Sequence, residues 1–423
     1  MNQPADSARD AAIRVLATLR EHGHTAYLAG GCVRDALLGN TPKDYDVATD
    51  ATPAVVQRLF PNSAAVGAAF GVVIVYTRAP RHHPAGVHRW VTEVATFRAE
   101  TTYSDGRRPD AVRFTTAEQD AKRRDFTING LFADPAPPGA PPGQPDRIID
   151  FVHGRDDLEA GIIRAIGDPA ERFGEDYLRM LRAIRFAARL GFAIEPKTSA
   201  AIRANARYLG QISRERIGQE LIAMLEGTRP AMALHLLQSH KLDGPALNED
   251  PADIPLPITD RLSEDARTPA RLAAWMIDRL CVHKPPKRAI TRWRKALSLS
   301  NDHRDAMGRL FDVLDRLGRW QGATTAERKR LAAHRDFDQA LLLREAIARD
   351  TDAIHDQVSA LANDGVGLAP PPLLTGDDLI AKGVEPGPGY KTLLDRAYDL
   401  QLEGRLTTHD QAVAWLGDVA RRL

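Results

Sequence analysis

The sequence predicts an α+β head built on a small mixed sheet with helices, followed by an all-α neck, body and tail. Short apolar and β-branched runs bounded by Gly, Asn or Pro recur up to Phe151, whereas strand signals nearly vanish after Leu158. From there apolar residues recur at helical spacing, with Pro-bearing breaks at Asp250 to Pro257 and Leu368 to Leu373. At 423 residues the chain is also too long for one ordinary core.

In the head, residues 8 to 22 have helix-forming composition, and Thr25 to Ala29 is an apolar run ending at Gly30 and Gly31, a strand followed by a turn. Val33 to Leu38 reads as a short helix closed by Gly39 and Asn40, and Asp44 to Ala48 as a second strand. Further strands are expected at Gly71 to Tyr76, Trp90 to Phe97, Ala111 to Phe114 and Arg147 to Phe151. Asp134 to Asp146 is dense in Pro and Gly and is expected to be an exposed loop within the head.

Composition excludes several classes. With 43% hydrophobic and 27% charged residues the chain is globular, and it has no apolar run long enough for a membrane span. The N-terminal stretch does not read as a secretion signal, and two cysteines, Cys32 and Cys281, imply no disulfide framework, so the cytosol is the expected compartment. No Cys/His spacing suits zinc, and His82-His83 reads as surface loop. A net charge of +1 means that any nucleic-acid binding rests on local patches. Lys284 to Lys295, with six basic residues and no acid, is one candidate, its alternative being a solvated helix face.

The strongest local signal is Leu28 to Asp46. Gly30 and Gly31 let backbone approach a ligand, and the helix after them presents free amides suited to a triphosphate, with Arg34 one turn in. Asp44 and Asp46 stand two apart on a strand, so both carboxylates project from one face and offer the hard oxygen ligands that suit Mg²⁺. Glu93, an acid in an otherwise apolar or β-branched run, is the candidate third carboxylate.

These residues, in this order, resemble the signature of the bacterial-type, class II tRNA CCA-adding nucleotidyltransferases and the related bacterial poly(A) polymerases. Further segments are similar to the same family: Glu93 to Phe114 to its third-carboxylate strand and flexible loop, and Lys122 to Gly130 to its Arg-Arg-Asp motif. Asp150 to Asp157 resembles its hinge and Gly174 to Leu190 its nucleotide-selecting helix. The resemblance implies a catalytic head over residues 1–156, a nucleotide-selecting neck over 157–225, a helical body over 226–330 and a tRNA-binding tail over 331–423. It implies addition of C, C and A to the tRNA 3′ end from CTP and ATP with Mg²⁺. Poly(A) or single-A addition, and a silent RNA-binding protein that kept the fold, are the competing readings.

On a continuous helix over Gly174 to Leu190, Arg179, Arg182, Arg185 and Arg189 share one face, opposite Met180, Leu181, Ile184, Ala187 and Ala188. Asp176 and Arg179, three apart, form either an intrahelical ion pair or a reader of bases. Cytosine and adenine each present an amino donor beside a ring-nitrogen acceptor, which a carboxylate and a guanidinium would match. Uracil and guanine present the reverse. The resemblance assigns base reading to this pair, phosphate or nucleotide contacts to Arg182 and Arg185, the triphosphate to Arg124 and the sugar's neighbourhood to Asn129. It also implies that Arg98, Glu100, Tyr103, Asp105, Arg107, Arg108 and Pro109 keep the loop pattern of full CCA-adding enzymes. Ser213 is expected to cap a mostly structural helix, and Thr375 another in the tail, with a turn at Pro386 to Gly389.

Overall fold

A computed structural model describes residues 6–65, 71–80, 87–100, 112–136, 146–385, 387 and 389–420. Tyr103 to Pro109, His82-His83, most of the Pro/Gly-dense stretch and Pro386 lie outside them. The chain forms two compact units, Met1–Ala252 and Asp253–Leu423.

The first unit begins with α1 (Ala8–Glu21), whose N-cap Ser7 accepts a hydrogen bond from the Asp10 amide. Its buried face, Ala11, Ala12, Val15, Leu16 and Leu19, packs on a sheet. The strands are β1 (Ala26–Ala29), β2 (Asp46–Thr49), β3 (Ser63–Ala65), β4 (Val72–Arg78), β5 (Arg89–Thr96), β6 (Arg98–Glu100), β7 (Val112–Phe114), β8 (Phe132–Asp134) and β9 (Arg147–Ile149). Seven of them form one sheet in the order β3-β4-β5-β2-β1-β8-β9, and β6 and β7 pair separately. Within the seven-stranded sheet only the β2–β5 pair is parallel. Its register sets Val47 beside Val94, so Asp46 and Glu93, one residue earlier on each strand, lie side by side. On the face of the sheet that carries Asp46, Tyr27, Phe97 and Phe132 pack with ring centroids about 6 Å apart. Burying each such ring contributes roughly 2 to 3 kcal/mol.

Between strands lie α2 (Gly31–Leu37), α3 (Pro53–Leu59) and α4 (Ala117–Lys122). The first follows β1 through Gly30, whose φ of 73° and ψ of −124° are closed to ordinary L side chains. After β9 come α5 (Gly154–Ala160), α6 (Pro169–Glu175), α7 (Leu178–Leu190), α8 (Pro196–Asn205), α9 (Arg214–Leu225) and α10 (Pro230–Ser239). One correction falls here: Gly174 to Leu190 is not one helix. Asp176 leaves helical geometry at φ −154°, ψ 104°, and its Oδ1 accepts from the Leu178 amide at 3.0 Å, starting α7 afresh. The apolar side of α7, including Met180, Leu181, Ile184 and Ala187, is fully buried and packs against α9 and α10.

In the second unit the described elements are helical. Trp275 on Thr268–Leu280 and Trp293 on Lys287–Ala296 meet at 4.7 Å between ring centroids, and both are fully buried. In the tail, Thr375 and Asp378 form a capping box, and Leu379, Leu393, Leu406 and Leu416 share a core. Among the described residues no helix is long and apolar enough to cross a membrane.

Candidate functional site

The end of β1, the start of α2, strands β2 and β5 and the polar side of α7 surround one cleft of about 1010 Å³. Gly30, Gly31, Arg34, Asp44, Asp46, Glu93, Arg124, Asn129, Asp176, Arg179, Arg182 and Arg185 all line it. Asp44 lies just before β2 rather than within it, yet the alternation of extended backbone still holds. Asp44 and Asp46 line the cleft, whereas Tyr45 between them lines a smaller cavity behind, beside Cys32.

The carboxylates gather at one end. Burial, then the charge of Glu93, pushes the Asp46 carboxyl up to about 6, with Asp44 adding and Arg124 opposing. A half-buried acid with two acidic neighbours is a site that gains from a cation. Among the described residues no three His, Cys, Asp or Glu side chains could hold one ion together. The hard oxygen donors of the cleft fit Mg²⁺, which commonly takes one or two carboxylates and completes its shell with phosphate and water oxygens.

The opposite wall is basic. Nine arginines line the cleft against five acids, so its field favours a polyanion. Most are held by acids behind them. Arg34 donates through Nε and Nη2 to Asp35 Oδ1 at 2.8 and 2.6 Å, and through Nη1 to Asn129 Oδ1 at 2.6 Å. Arg124 is anchored to Asp120 Oδ2 and to the Asn129 carbonyl at 3.1 Å, and lies over the Phe132 ring. Its Nη1 would stand 2.9 Å from a Cβ placed on Gly30, so that position needs glycine both for its φ and for Arg124. Arg182 bonds Asp125 through Nε at 2.8 Å, and Arg185 bonds Glu220 at 2.7 Å. Burial alone would raise the Asp125 carboxyl, but Arg182, Asn129 and the Phe126 amide hold it at about 2.

Asp176 and Arg179 are not paired with each other. Arg216 holds Asp176, while Arg179 donates to Glu175 and to the Arg172 carbonyl at 3.0 Å. The intrahelical pair fails because Asp176 is no longer on the helix. Reading the sequence missed Arg216, Asp125 and Glu220, which complete or brace this wall. Asp125 stood within the quoted Arg-Arg-Asp motif, whereas Arg216 and Glu220 carried no local signal beyond lying on the helix after Ser213. That helix is α9, although Ser213 makes no side-chain cap bond.

Two family models match the chain: the poly A polymerase head domain over residues 26–164, and the probable RNA and SrmB-binding site of polymerase A over residues 191–244. The chain is 33% identical over 406 residues to the CCA-adding enzyme of Limosilactobacillus fermentum, covering 94% of each chain. It is 42% identical over 254 residues to that of Bacillus pumilus, covering 59% of this chain and 58% of the other. It is also similar to the crystal structure of the Bacillus stearothermophilus CCA-adding enzyme in complex with CTP. There the TM-score is 0.74 and the identity 28%, with 99% of this chain and 98% of the other covered. The fold is shared with a Thermotoga maritima CCA-adding enzyme complexed with tRNA (TM-score 0.65, 19% identity, 99% and 97% covered).

Proposed function

The chain belongs to the CCA-adding enzyme family, and from this we propose that it adds C, C and A to the 3′ end of tRNA, using CTP and ATP and releasing pyrophosphate. The observation that carries the reading is the cleft itself, with carboxylates at one end and an arginine wall facing them. In the reaction the RNA 3′-hydroxyl attacks the α-phosphate. We assign Asp44 and Asp46 to Mg²⁺, which when bound neutralises phosphate charge and lowers the pKa of a bound hydroxyl. Glu93, beside Asp46 in the register, orients the attacking hydroxyl. Gly30 and Gly31 admit the triphosphate to the amides opening α2, and Arg34 and Arg124 bind its oxygens. Asn129 stands near the sugar, and Arg182 and Arg185 contact nucleotide or phosphate.

Asp176 accepts from the exocyclic amino group of cytosine or adenine while Arg179 donates to the ring nitrogen. Uracil and guanine then meet donor against donor and acceptor against acceptor, a discrimination of roughly 1 to 3 kcal/mol per bidentate contact. We divide the labour as a catalytic head (1–156), a selecting neck (157–225), a body (226–330) and a tRNA-binding tail (331–423), working in the cytoplasm. The head-domain match is described after poly(A) polymerase, so an enzyme that adds A alone is the second reading. Incubation with tRNA lacking its CCA end and each labelled triphosphate separately decides between them. Cytidine incorporation is expected, incorporation of A alone supports the second reading, and absence of Mg²⁺-dependent pyrophosphate release overturns both.

A further inference from the structure

The chain balances 57 basic residues against 56 acidic ones, yet from Arg279 to Asn301 it carries seven Lys and Arg and no Asp or Glu. In the second unit this stretch folds around the helix Lys287–Ala296. Its apolar side, Ala289, Ile290, Trp293 and Ala296, is buried, so the helix is fixed in place by its own core. Lys287, Arg288 and Lys295 are exposed on the other side and lie within about a 100° arc over about 12 Å of axis. None of the three has an acidic partner among the described residues, whereas Lys284 nearby is bound to Asp315 at 3.0 Å.

A helix face that merely keeps a protein in solution mixes both signs and gains from i, i+4 pairs. This face does the opposite. Lys287 and Arg288 occupy the first turn, where the helix dipole favours acids and disfavours cations. The N-cap is Pro286, which offers no side-chain acceptor, so the first-turn amides receive no side-chain cap. Uncapped amides and cations thus point the same way, an arrangement unfavourable alone and favourable beside a phosphate. No apolar residue of the helix is exposed, so it lacks the wedge by which amphipathic helices enter a lipid surface.

We propose that Lys287, Arg288 and Lys295 form a docking stripe for consecutive backbone phosphates of the RNA substrate. The assignment rests on the tRNA reading given above. It is sequence-independent by construction, since phosphate contacts set position and register but do not read bases.

The test is steady-state CMP addition to tRNA lacking its CCA end, with tRNA affinity measured against salt. The triple variant K287E/R288E/K295E is compared with wild type, with the neutral K287Q/R288Q/K295Q, and with a control reversing exposed charges at Arg58, Lys197 and Lys241. The reversed stripe is expected to raise the KM for tRNA at least about tenfold and to lower the slope of log affinity on log salt by about 2 to 3. The neutral variant should show a smaller rise, and kcat and the KM for CTP should stay unchanged in both. Unchanged tRNA affinity in a folded triple variant overturns the proposal, as does an equal loss in the control. If the reversed variant does not fold, the neutral one decides by the same two readouts. A wild-type enzyme that binds tRNA without adding C would sink the functional reading but leave the stripe standing.

Discussion

Arg216 on α9 grips Asp176 through two guanidinium nitrogens, Nη2 to Oδ2 at 2.6 Å and Nη1 to Oδ1 at 3.3 Å, across 40 residues of sequence. The carboxylate assigned to base reading is therefore oriented, and its charge matched, by a residue on a separate helix. Glu175 plays the matching part for Arg179. Arg216→Ala should leave Asp176 with the Leu178 amide but without a cation, free to rotate. CTP use should fall and misuse of UTP rise, narrowing discrimination about tenfold, the low end of a bidentate contact. Single-nucleotide incorporation with each of the four triphosphates measures this. Unchanged selectivity would show that Asp176 needs no such clamp.

Gly30→Ala tests the cradle. At φ 73° and ψ −124°, outside the left-handed helical well, an alanine costs roughly 1 to 3 kcal/mol in backbone strain. Its Cβ would also lie 2.9 Å from Arg124 Nη1, and the flexible guanidinium, not the backbone, would yield. A modest fall in melting temperature should accompany a much larger rise in the KM for CTP. A loss of stability without that rise would mean Arg124 does not bind the triphosphate.

Asp46→Asn should abolish nucleotide addition and at the same time stabilise the metal-free protein. The folded carboxyl, at about 6, lies above the ordinary value of 3.8, so the folded state holds its proton more tightly than the unfolded state. Stability from this group is present below 3.8 and is lost as pH rises through about 6. The asparagine, always neutral, escapes that loss, so its advantage should be absent near pH 4 and reach about 1 to 2 kcal/mol by pH 7.5, after discounting partial exposure. Thermal melts in chelator across that range would show it. A pH-independent difference would contradict the carboxylate crowding.

Much of the catalytic end was legible because it is local. Two acids separated by one residue share a face whatever sheet they join, and Tyr45 between them had to point elsewhere. The arginine side of α7 was legible for the same reason, with a 3.6-residue period in place of two. The break at Asp176 was not. An aspartate is as good an N-cap within a helical pattern as before one, and Gly174, two residues earlier, lies inside α6 rather than at the break. The bracing of the wall was also hidden: Arg182 with Asp125 spans 57 residues and Arg185 with Glu220 spans 35. Local periodicity does not encode such partners. The parallel β2–β5 pair, which sets Glu93 beside Asp46, depends on sheet order and was likewise out of reach.

Arg182→Gln separates the structural from the nucleotide-binding part of the arginine wall. Asp125 is buried against Arg182, Asn129 and the Phe126 amide, which together hold its carboxyl at about 2, below the ordinary 3.8. In the wild type this pairing contributes stability above 3.8 that is lost as pH falls through about 2. Without Arg182, the burial of Asp125 is opposed by its hydrogen bonds and the charge of Arg34, and its pKa should rise. The variant should lose about 3 to 5 kcal/mol at pH 8, the usual cost of stranding a buried charge. Less should be lost near pH 4.5, where Asp125 can take a proton. Adding Asp125→Asn to Arg182→Gln should recover much of that stability without restoring CMP addition. If the double variant were no more stable than the single one at pH 8, Asp125 would not be the charge that Arg182 neutralises.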